Sequence, residues 1–300
     1  MNTTSSHPTP RRSRALVLGG GGSAGNAWLI GVVAGLADAG LDVSTADLIV
    51  GTSAGATAAA QLTSAPSSRL YTEILDAPLP PPRPAGTGGS RRPSTADHMA
   101  RTQRIIDAST DIADMRRRMG AAAVELSAAA DGASARWREI VAARLPQSGW
   151  PAQNVQITAV DATTGEPVVF DRYSGVELVD AVAASCASGF AYDIGGRGYI
   201  DGGYRSNAEN ADLADGYDEV LVLAPFGGES RVPASWRTHL GAQLDELRAT
   251  GCLVETIVPD EAARAAFGDN VMDPTTRAPA ARAGFAQGRT SAEDLARFWK

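Results

Sequence analysis

Ser53 is the residue whose setting in this chain most clearly predicts chemistry. It lies in Gly51–Gly55 (Gly-Thr-Ser-Ala-Gly), directly after the apolar run 48–50. A strand, then Gly-x-Ser-x-Gly, then a helix is the pattern of a nucleophile elbow, a sharp turn that lifts the serine hydroxyl clear of the backbone. Glycine is needed on both sides of the serine because a Cβ would collide with neighbouring chain in so tight a turn. The small residues that follow predict a closely packed helix (Ala54, Ala56, Ala58, Ala59, Ala60).

A glycine-rich segment upstream is the second candidate. Residues 19–25 (Gly-Gly-Gly-Gly-Ser-Ala-Gly) follow a predicted strand at 14–18 and open a segment with helical spacing of apolar residues. Backbone N–H groups gather at such a helix N-terminus, where the helix dipole favours negative charge. The segment suits the oxyanion of an acyl-transfer intermediate. Taken alone, it suits the pyrophosphate of a dinucleotide slightly better, because Gly20, Gly22 and Gly25 match the Gly-x-Gly-x-x-Gly fingerprint.

Asp201 is the third candidate and favours acyl transfer. Gly198–Gly203 (Gly-Tyr-Ile-Asp-Gly-Gly) places this carboxylate at the end of a short apolar run. By itself the segment is a strand that ends in a common Asp-Gly turn. The order of glycine loop, Gly-x-Ser-x-Gly and Asp-Gly-Gly is far more specific than any of the three motifs alone.

With these motifs the chain resembles the patatin-like phospholipase family, from residue 14 to about residue 260. The resemblance implies a three-layer α/β fold, with a mainly parallel central sheet flanked by helices. It also implies hydrolysis of acyl esters, typically of lipids, by a Ser-Asp dyad in which Ser53 is the nucleophile and Asp201 the base. The remaining site residues that it implies are the oxyanion-hole amides of Gly20, Gly21 and Gly22, and the glycines that support the elbow and the dyad, Gly51, Gly55, Gly202 and Gly203.

Two positions depart from the family pattern. Ala24 stands where the family usually has Arg or Lys. The backbone donors do not depend on that side chain, but any role of a cation in binding an anionic head group is put in question. Gly189, in the segment 184–190, stands where a proline often occurs. We expect this change to alter loop shape near the site without touching the dyad.

The base of such a dyad needs a raised pKa. An ordinary aspartate, with a pKa of about 3.9, is a weak base. Burial beside Tyr199 and Ile200 is predicted to bring the pKa of Asp201 nearer to the operating pH. The order Ser53, Asp201, His239 also fits a triad. We reject the triad because only one clear strand precedes Ser53 and because His239 begins a predicted amphipathic helix.

Composition limits the partners. A net charge of −7 and a pI of about 5.1 argue against nucleic acid as the main partner and give no general attraction to anionic membranes. Cys186 and Cys252 are too few for a disulfide framework and are predicted to be small buried residues in a reducing compartment. No motif implies a metal or a cofactor. Without an apolar stretch of about 20 residues, we predict a cytoplasmic protein with at most peripheral membrane contact, and the oligomeric state stays open.

The chain divides into a tail and one large domain. Residues 1–12 are predicted to be a disordered tail, and residues 13–300 a hydrolase domain in which strands alternate with helices. Residues 66–145 interrupt that alternation with a proline-rich loop and a helical segment, which we predict to be a cap over the acyl pocket. Its predicted apolar stripe comprises Ile105, Ile106, Ile112, Met115, Met119, Val124, Leu126, Trp137, Ile140, Val141 and Leu145.

The leading prediction is therefore a serine esterase of phospholipase A type. Transfer of the acyl group to an acceptor other than water begins with the same acyl-Ser53 intermediate and stays open. An inactive relative that serves as a binding or scaffold protein is a further alternative. A dinucleotide-binding protein is the third alternative, and it would leave Ser53 and Asp201 without a role.

Overall fold

The computed structural model describes residues 11–78, 95–128 and 132–299. The strands are β1 (Arg14–Leu18), β2 (Leu48–Gly51), β3 (Asn154–Asp161), β4 (Pro167–Phe170), β5 (Tyr192–Ile194), β6 (Arg197–Asp201), β7 (Glu219–Leu223) and β8 (Leu253–Ile257). The helices are α1 (Gly22–Asp38), α2 (Ala54–Leu62), α3 (Ser67–Asp76), α4 (Thr95–Asp107), α5 (Ile112–Ala128), α6 (Ala133–Ala142), α7 (Leu178–Ser185), α8 (Leu240–Ala249), α9 (Glu261–Phe267) and α10 (Arg277–Phe298). Across these ranges, no helix combines the length and apolar character needed to cross a membrane.

The strands form one mixed sheet whose centre is parallel. The order is β5-β6-β3-β2-β1-β7-β8, with β4 paired to β3. Strands β3, β2, β1, β7 and β8 run parallel, whereas β4 and β6 pair with β3 in the antiparallel sense. Every residue of β2 and β7 is buried, as expected for central strands covered on both faces. The predicted mainly parallel sheet is confirmed.

Helices cover both faces of this sheet. In β1, Leu16 and Leu18 pack against α1, α2, α7 and α10 on one face, and Ala15 and Val17 pack against α8 on the other. Alternate side chains of a strand point to opposite faces. Because helices cover both faces here, both sets of side chains are apolar. Helices α1 and α10 lie very close together. A Cβ on Gly31 of α1 would stand only 2.2 Å from the carbonyl oxygen of Ala281 in α10. The three-layer fold is confirmed.

The interrupting segment contains α3 to α6. Its predicted stripe is correct for Ile106, Met115 and Met119, which are buried and pack with β3 and β6. It is wrong for Val124, Leu126 and Ile140, whose side chains are exposed. The stripe of α5 continues from Met119 to Ala123, four residues on, and α6 buries Val141 instead of its neighbour Ile140. The proline-rich run lies outside the described residues from residue 79 onward.

The predicted tail falls outside the described residues up to residue 10. Its last two residues make ion pairs. Arg11 bonds Asp47 at 3.1 Å, and Arg12 bonds Glu219 at 3.2 Å. These ion pairs place Arg11 and Arg12 next to the ends of β2 and β7.

Candidate active site

Ser53 occupies a strained turn between β2 and α2. Its φ of 53° and ψ of −112° place a non-glycine residue at positive φ, which costs free energy and is found mostly at functional sites. The turn is held by hydrogen bonds from Gly55 N–H to the Thr52 carbonyl at 2.8 Å and from Thr57 N–H to the Ser53 carbonyl at 3.1 Å. Ser53 is partly exposed, so its hydroxyl is accessible at the end of the sheet.

The glycines of the elbow are required by close backbone approach. A Cβ on Gly55 would stand 1.8 Å from the Leu18 carbonyl oxygen, and one on Gly51 would stand 2.7 Å from the Ala56 Cα. No real Cβ approaches backbone this closely, so neither position accepts a larger residue without displacing β1 or α2. These distances agree with the prediction from the sequence that a Cβ at either position would collide with neighbouring chain.

Asp201 ends β6 and faces Ser53. Its carboxylate accepts a hydrogen bond from Gly203 N–H at 2.8 Å, and the Ser53 hydroxyl lies close enough to favour the ionised form of the carboxylate. The side chain is 8% exposed. Burial raises the pKa of Asp201 to about 6, although the Gly203 N–H and the Ser53 hydroxyl favour the ionised form. The sequence-based expectation of a raised pKa agrees in direction and in physical cause.

Gly202 is fixed by contact with β3. A Cβ at this position would stand 2.1 Å from Thr158 Oγ1. A Cβ on Gly203 would stand 3.1 Å from Asp201 Oδ1, the same oxygen that accepts a hydrogen bond from the Gly203 N–H. The two glycines of the Asp-Gly-Gly motif therefore have different functions.

Asn210 links the two candidate catalytic segments, and the sequence analysis missed it. Its side-chain amide donates to Thr52 Oγ1 at 3.0 Å and to the Gly202 carbonyl at 3.0 Å, while Thr52 and Thr158 hydroxyls lie 2.9 Å apart. Asn210 is fully buried and adopts a left-handed conformation with φ of 56°. It thus fixes the residue before Ser53 against the residue after Asp201. An isolated Asn in a polar stretch carries no sequence signal for this role.

The end of α7 holds the backbone of Ser53 directly. Ser185 Oγ accepts from Ser53 N–H at 2.9 Å, and the Cys186 thiol donates to the Ser53 carbonyl at 3.1 Å. Burial, followed by the charge of Asp201, raises the pKa of the Cys186 thiol to about 12, so it stays protonated.

The glycine loop lies next to Ser53. A Cβ on Gly20 would stand 3.7 Å from Ser53 Cβ. The N–H of Gly20 donates to the Ala208 carbonyl at 2.8 Å, so the part of the prediction that assigned this amide to an oxyanion hole is not supported. The N–H groups of Gly21 and Gly22, at the start of α1, have no hydrogen-bond acceptor among the residues that the structure describes.

A buried acid lies behind this loop. Glu209 is 1% exposed, and neither carboxyl oxygen has a hydrogen-bond partner in the described part of the chain. A Cβ on Gly19 would stand 3.2 Å from its Cγ. Burial raises the pKa of Glu209 to about 7.

The interrupting segment reaches the loops around Asp201 through α4. His98 Nε2 lies 3.0 Å from Ser188 Oγ, which lies 3.5 Å from the Tyr204 hydroxyl. Burial raises the pKa of Tyr204 to about 12. His239 caps α8 and is not among the partners of Asp201 in the described chain.

Comparison with known proteins shows the family of the chain. The sequence matches the patatin-like phospholipase family over residues 16–215, and the chain belongs to that family. Membership places it among lipid hydrolases. A comparison with curated proteins found no significant match.

Two solved structures are similar to the chain. VipD from Legionella pneumophila is 14% identical, with a TM-score of 0.45 over 95% of this chain and 67% of VipD. The type III effector protein ExoU is 18% identical, with a TM-score of 0.40 over 95% of this chain and 54% of ExoU. This chain therefore spans about half the length of ExoU.

Proposed function

We propose that the protein is a phospholipase A-type serine esterase that cleaves carboxylic esters of lipids through an acyl-Ser53 intermediate. The observation that carries the proposal is the strained turn that places Ser53 beside the buried Asp201 carboxylate, close enough for its hydroxyl to favour the ionised form. A serine hydroxyl becomes nucleophilic when an adjacent base takes its proton. Asp201 is such a base, and its pKa of about 6 leaves it ionised at neutral pH while making it more basic than an ordinary aspartate.

The first half of the reaction forms the acyl-enzyme. Ser53 Oγ bonds to the ester carbonyl carbon as its proton passes to Asp201. The carbonyl oxygen becomes an oxyanion, which the free N–H groups of Gly21 and Gly22 stabilise; each such donor contributes about 100- to 1000-fold in rate. The bond from carbon to the leaving alcohol oxygen then breaks, and that oxygen takes the proton from Asp201.

The second half releases the acid. A water molecule gives a proton to Asp201, and the water oxygen bonds to the acyl carbon. The bond to Ser53 Oγ then breaks, and Ser53 recovers the proton. Because one carboxylate serves both halves, no histidine is needed in this scheme.

The strained backbone of Ser53 supports the same assignment. Hydrogen bonds from Ser53 N–H to Ser185 and from the Cys186 thiol to the Ser53 carbonyl fix the peptide on both sides of the nucleophile. A serine fixed in this way loses little conformational entropy when it attacks. The contact of His98 with Ser188 supports a cap function for residues 66–145. A cytoplasmic location, with peripheral contact at lipid surfaces, completes the proposal.

The test is hydrolysis of p-nitrophenyl esters of graded chain length by the wild type, Ser53→Ala and Asp201→Asn. Ser68→Ala is the matched control, because Ser68 is an exposed serine on α3. We expect both site variants to lose at least about 1000-fold in kcat/KM, and the control to keep wild-type activity. Turnover by Ser53→Ala at the wild-type rate would refute the assignment of the nucleophile. Release of the acyl group to an alcohol acceptor instead of water would identify a transferase.

A further inference from the structure

Two exposed apolar residues flank the glycine loop. Pro225 packs against Gly21, where a Cβ would stand 2.5 Å from Pro225 Cβ, and Phe226 is the next residue. Met272 packs against Gly22, where a Cβ would stand 2.9 Å from Met272 Sδ. The exposed fraction is 43% for Phe226 and 53% for Met272. Both residues therefore lie next to the loop amides that we assign to the oxyanion.

Hydrogen-bonded turns present both side chains. Phe226 is the third residue of a turn that the Gly227 N–H closes by donating to the Ala224 carbonyl at 2.8 Å. The Met272 N–H donates to Asn270 Oδ1 at 3.1 Å in the turn before α10. The backbone at these two positions is therefore fixed, and it holds an apolar side chain at the surface.

A third exposed apolar residue comes from the interrupting segment. Met99 of α4 is 44% exposed. Arg231, five residues after Phe226, donates from Nη2 to the Met99 carbonyl at 2.7 Å, and its Nη1 lies 3.4 Å from Met99 Sδ. The residue before Met99, His98, contacts Ser188 in the loop after α7. Helix α4 therefore brings Met99 to the surroundings of the same site.

We call Met99, Phe226 and Met272 the apolar rim. Single apolar residues are common on protein surfaces and need no explanation. The three residues of the apolar rim come from separate segments of the chain, yet their contacts lead to the loops around one candidate site. Large apolar side chains grouped in this way mark an interaction surface.

The position and charge of the apolar rim select its partner. A protein seated on it would cover the approach to Ser53, whereas a lipid surface would supply esters to that serine. The net charge of −7 gives no attraction to anionic lipids. Charged residues of both signs adjoin the rim in sequence, namely Glu229, Arg231 and Asp273. A lipid surface without net charge therefore fits best.

We propose that the apolar rim inserts into the surface of an uncharged lipid membrane and holds the opening of the Ser53 site against it. The assignment rests on the proposed function, since a lipid ester is the substrate that brings a membrane to this serine. Insertion removes the exposed apolar area of the rim from water, which favours binding without any charge on the lipid.

The test measures flotation of the Ser53→Ala protein with phosphatidylcholine vesicles, so that no lipid is hydrolysed. Adding Phe226→Ala or Met272→Gln should raise the vesicle Kd about 10-fold each, because each removes apolar area from the contact. Met99→Gln should act in the same direction. Binding should change little between about 0.1 M and about 1 M salt, because salt screens charge and not apolar contact.

Tyr173→Ala is the matched control, because Tyr173 is an aromatic residue that is 84% exposed. It follows β4, and its neighbour Arg172 bonds the Pro151 carbonyl ahead of β3. Tyr173 therefore lies at the end of the sheet away from Ser53, and its removal should leave the Kd unchanged. Unfolding temperatures of all variants are measured in parallel, so that a loss of binding is read only from folded protein.

Three results would overturn the proposal. The first is an unchanged Kd in both Phe226→Ala and Met272→Gln. The second is binding to phosphatidylglycerol vesicles alone that high salt abolishes, since charge would then be the cause. The third is a dimer, seen by analytical ultracentrifugation without lipid, that the same two substitutions dissociate, since the rim would then be an interface between copies.

Hydrolysis of a soluble p-nitrophenyl ester by the wild type separates this proposal from the proposed function. Vesicle binding through the rim without ester hydrolysis would refute only the proposed function. Ester hydrolysis that Ser53→Ala abolishes, in a protein that binds no vesicle, would refute only the role of the rim.

Discussion

Ionisation of Asp201 should control the activity of this protein between about pH 4 and pH 7. The carboxyl is 8% exposed, and burial raises its pKa from 3.8 to about 6. As a base, Asp201 must be ionised, so kcat/KM should rise with pH through about 6 and level off above about 7. At pH 5, about one tenth of the protein would hold an ionised Asp201, and activity should be about one tenth of the plateau.

The same shift has an opposite effect on stability. A pKa raised by about two units corresponds to about 3 kcal/mol of disfavoured charge in the folded state. The pKa of Asp201 is higher in the folded state than in the unfolded state. The protonated carboxyl therefore contributes its full stabilisation below about pH 3.8, and this stabilisation is lost as the pH rises through about 6. Asp201→Asn should therefore lose activity and yet gain up to about 3 kcal/mol in the free energy of unfolding at pH 8.

The assay is kcat/KM for a p-nitrophenyl ester from about pH 4.5 to pH 8 at constant ionic strength. It is followed at the wavelength where p-nitrophenol and p-nitrophenolate absorb equally, with urea unfolding of the same samples. Glu209→Gln is assayed beside the wild type, because Glu209 is a second buried carboxyl with a raised pKa. The acidic limb should stay near pH 6 in that variant. A limb with an apparent pKa below about 5 would refute the reasoning, because it would mean that burial does not make Asp201 more basic.

Three further substitutions test the surroundings of the site. Glu209→Gln removes a carboxyl whose pKa rises from 4.5 to about 7. The wild type should lose about 3 kcal/mol of stability as the pH rises through about 7, and the variant should not show this loss. Urea unfolding at low and high pH measures this loss of stability. An equal loss in both proteins would show that ionisation of Glu209 is not its cause. Gly55→Ala forces a Cβ to 1.8 Å from the Leu18 carbonyl oxygen and should cost at least about 3 kcal/mol by thermal unfolding. Gly149→Ala, which has open space, should cost little, and similar losses in both would count against the steric argument. Asn210→Ala leaves buried acceptors without donors, costing about 1–3 kcal/mol, and should lower kcat more than it raises KM; an unchanged kcat would contradict its positioning role.

The class of fold could be predicted from the sequence, and so could the positions of Ser53 and Asp201 at the ends of two strands. The apolar runs before Ser53 and Asp201 are local signals, because a buried strand must be apolar along its length. The glycine collisions at Gly51 and Gly55 follow from the tightness of a strand-to-helix turn. The burial of Met115 and Met119 followed from helical periodicity, which is also local.

The supporting contacts depended on the tertiary structure. Asn210 and Ser185 contact the site from segments distant in sequence, and single polar residues carry no periodic signal. Packing also decided which loop amide stays free: Gly20 donates to Ala208, a partner that no local pattern reveals. Side-chain types and the periodicity of apolar residues can be read directly from the sequence. Hydrogen-bond partners and unmatched charges are settled only when distant segments meet, since burial makes an unpaired polar group costly.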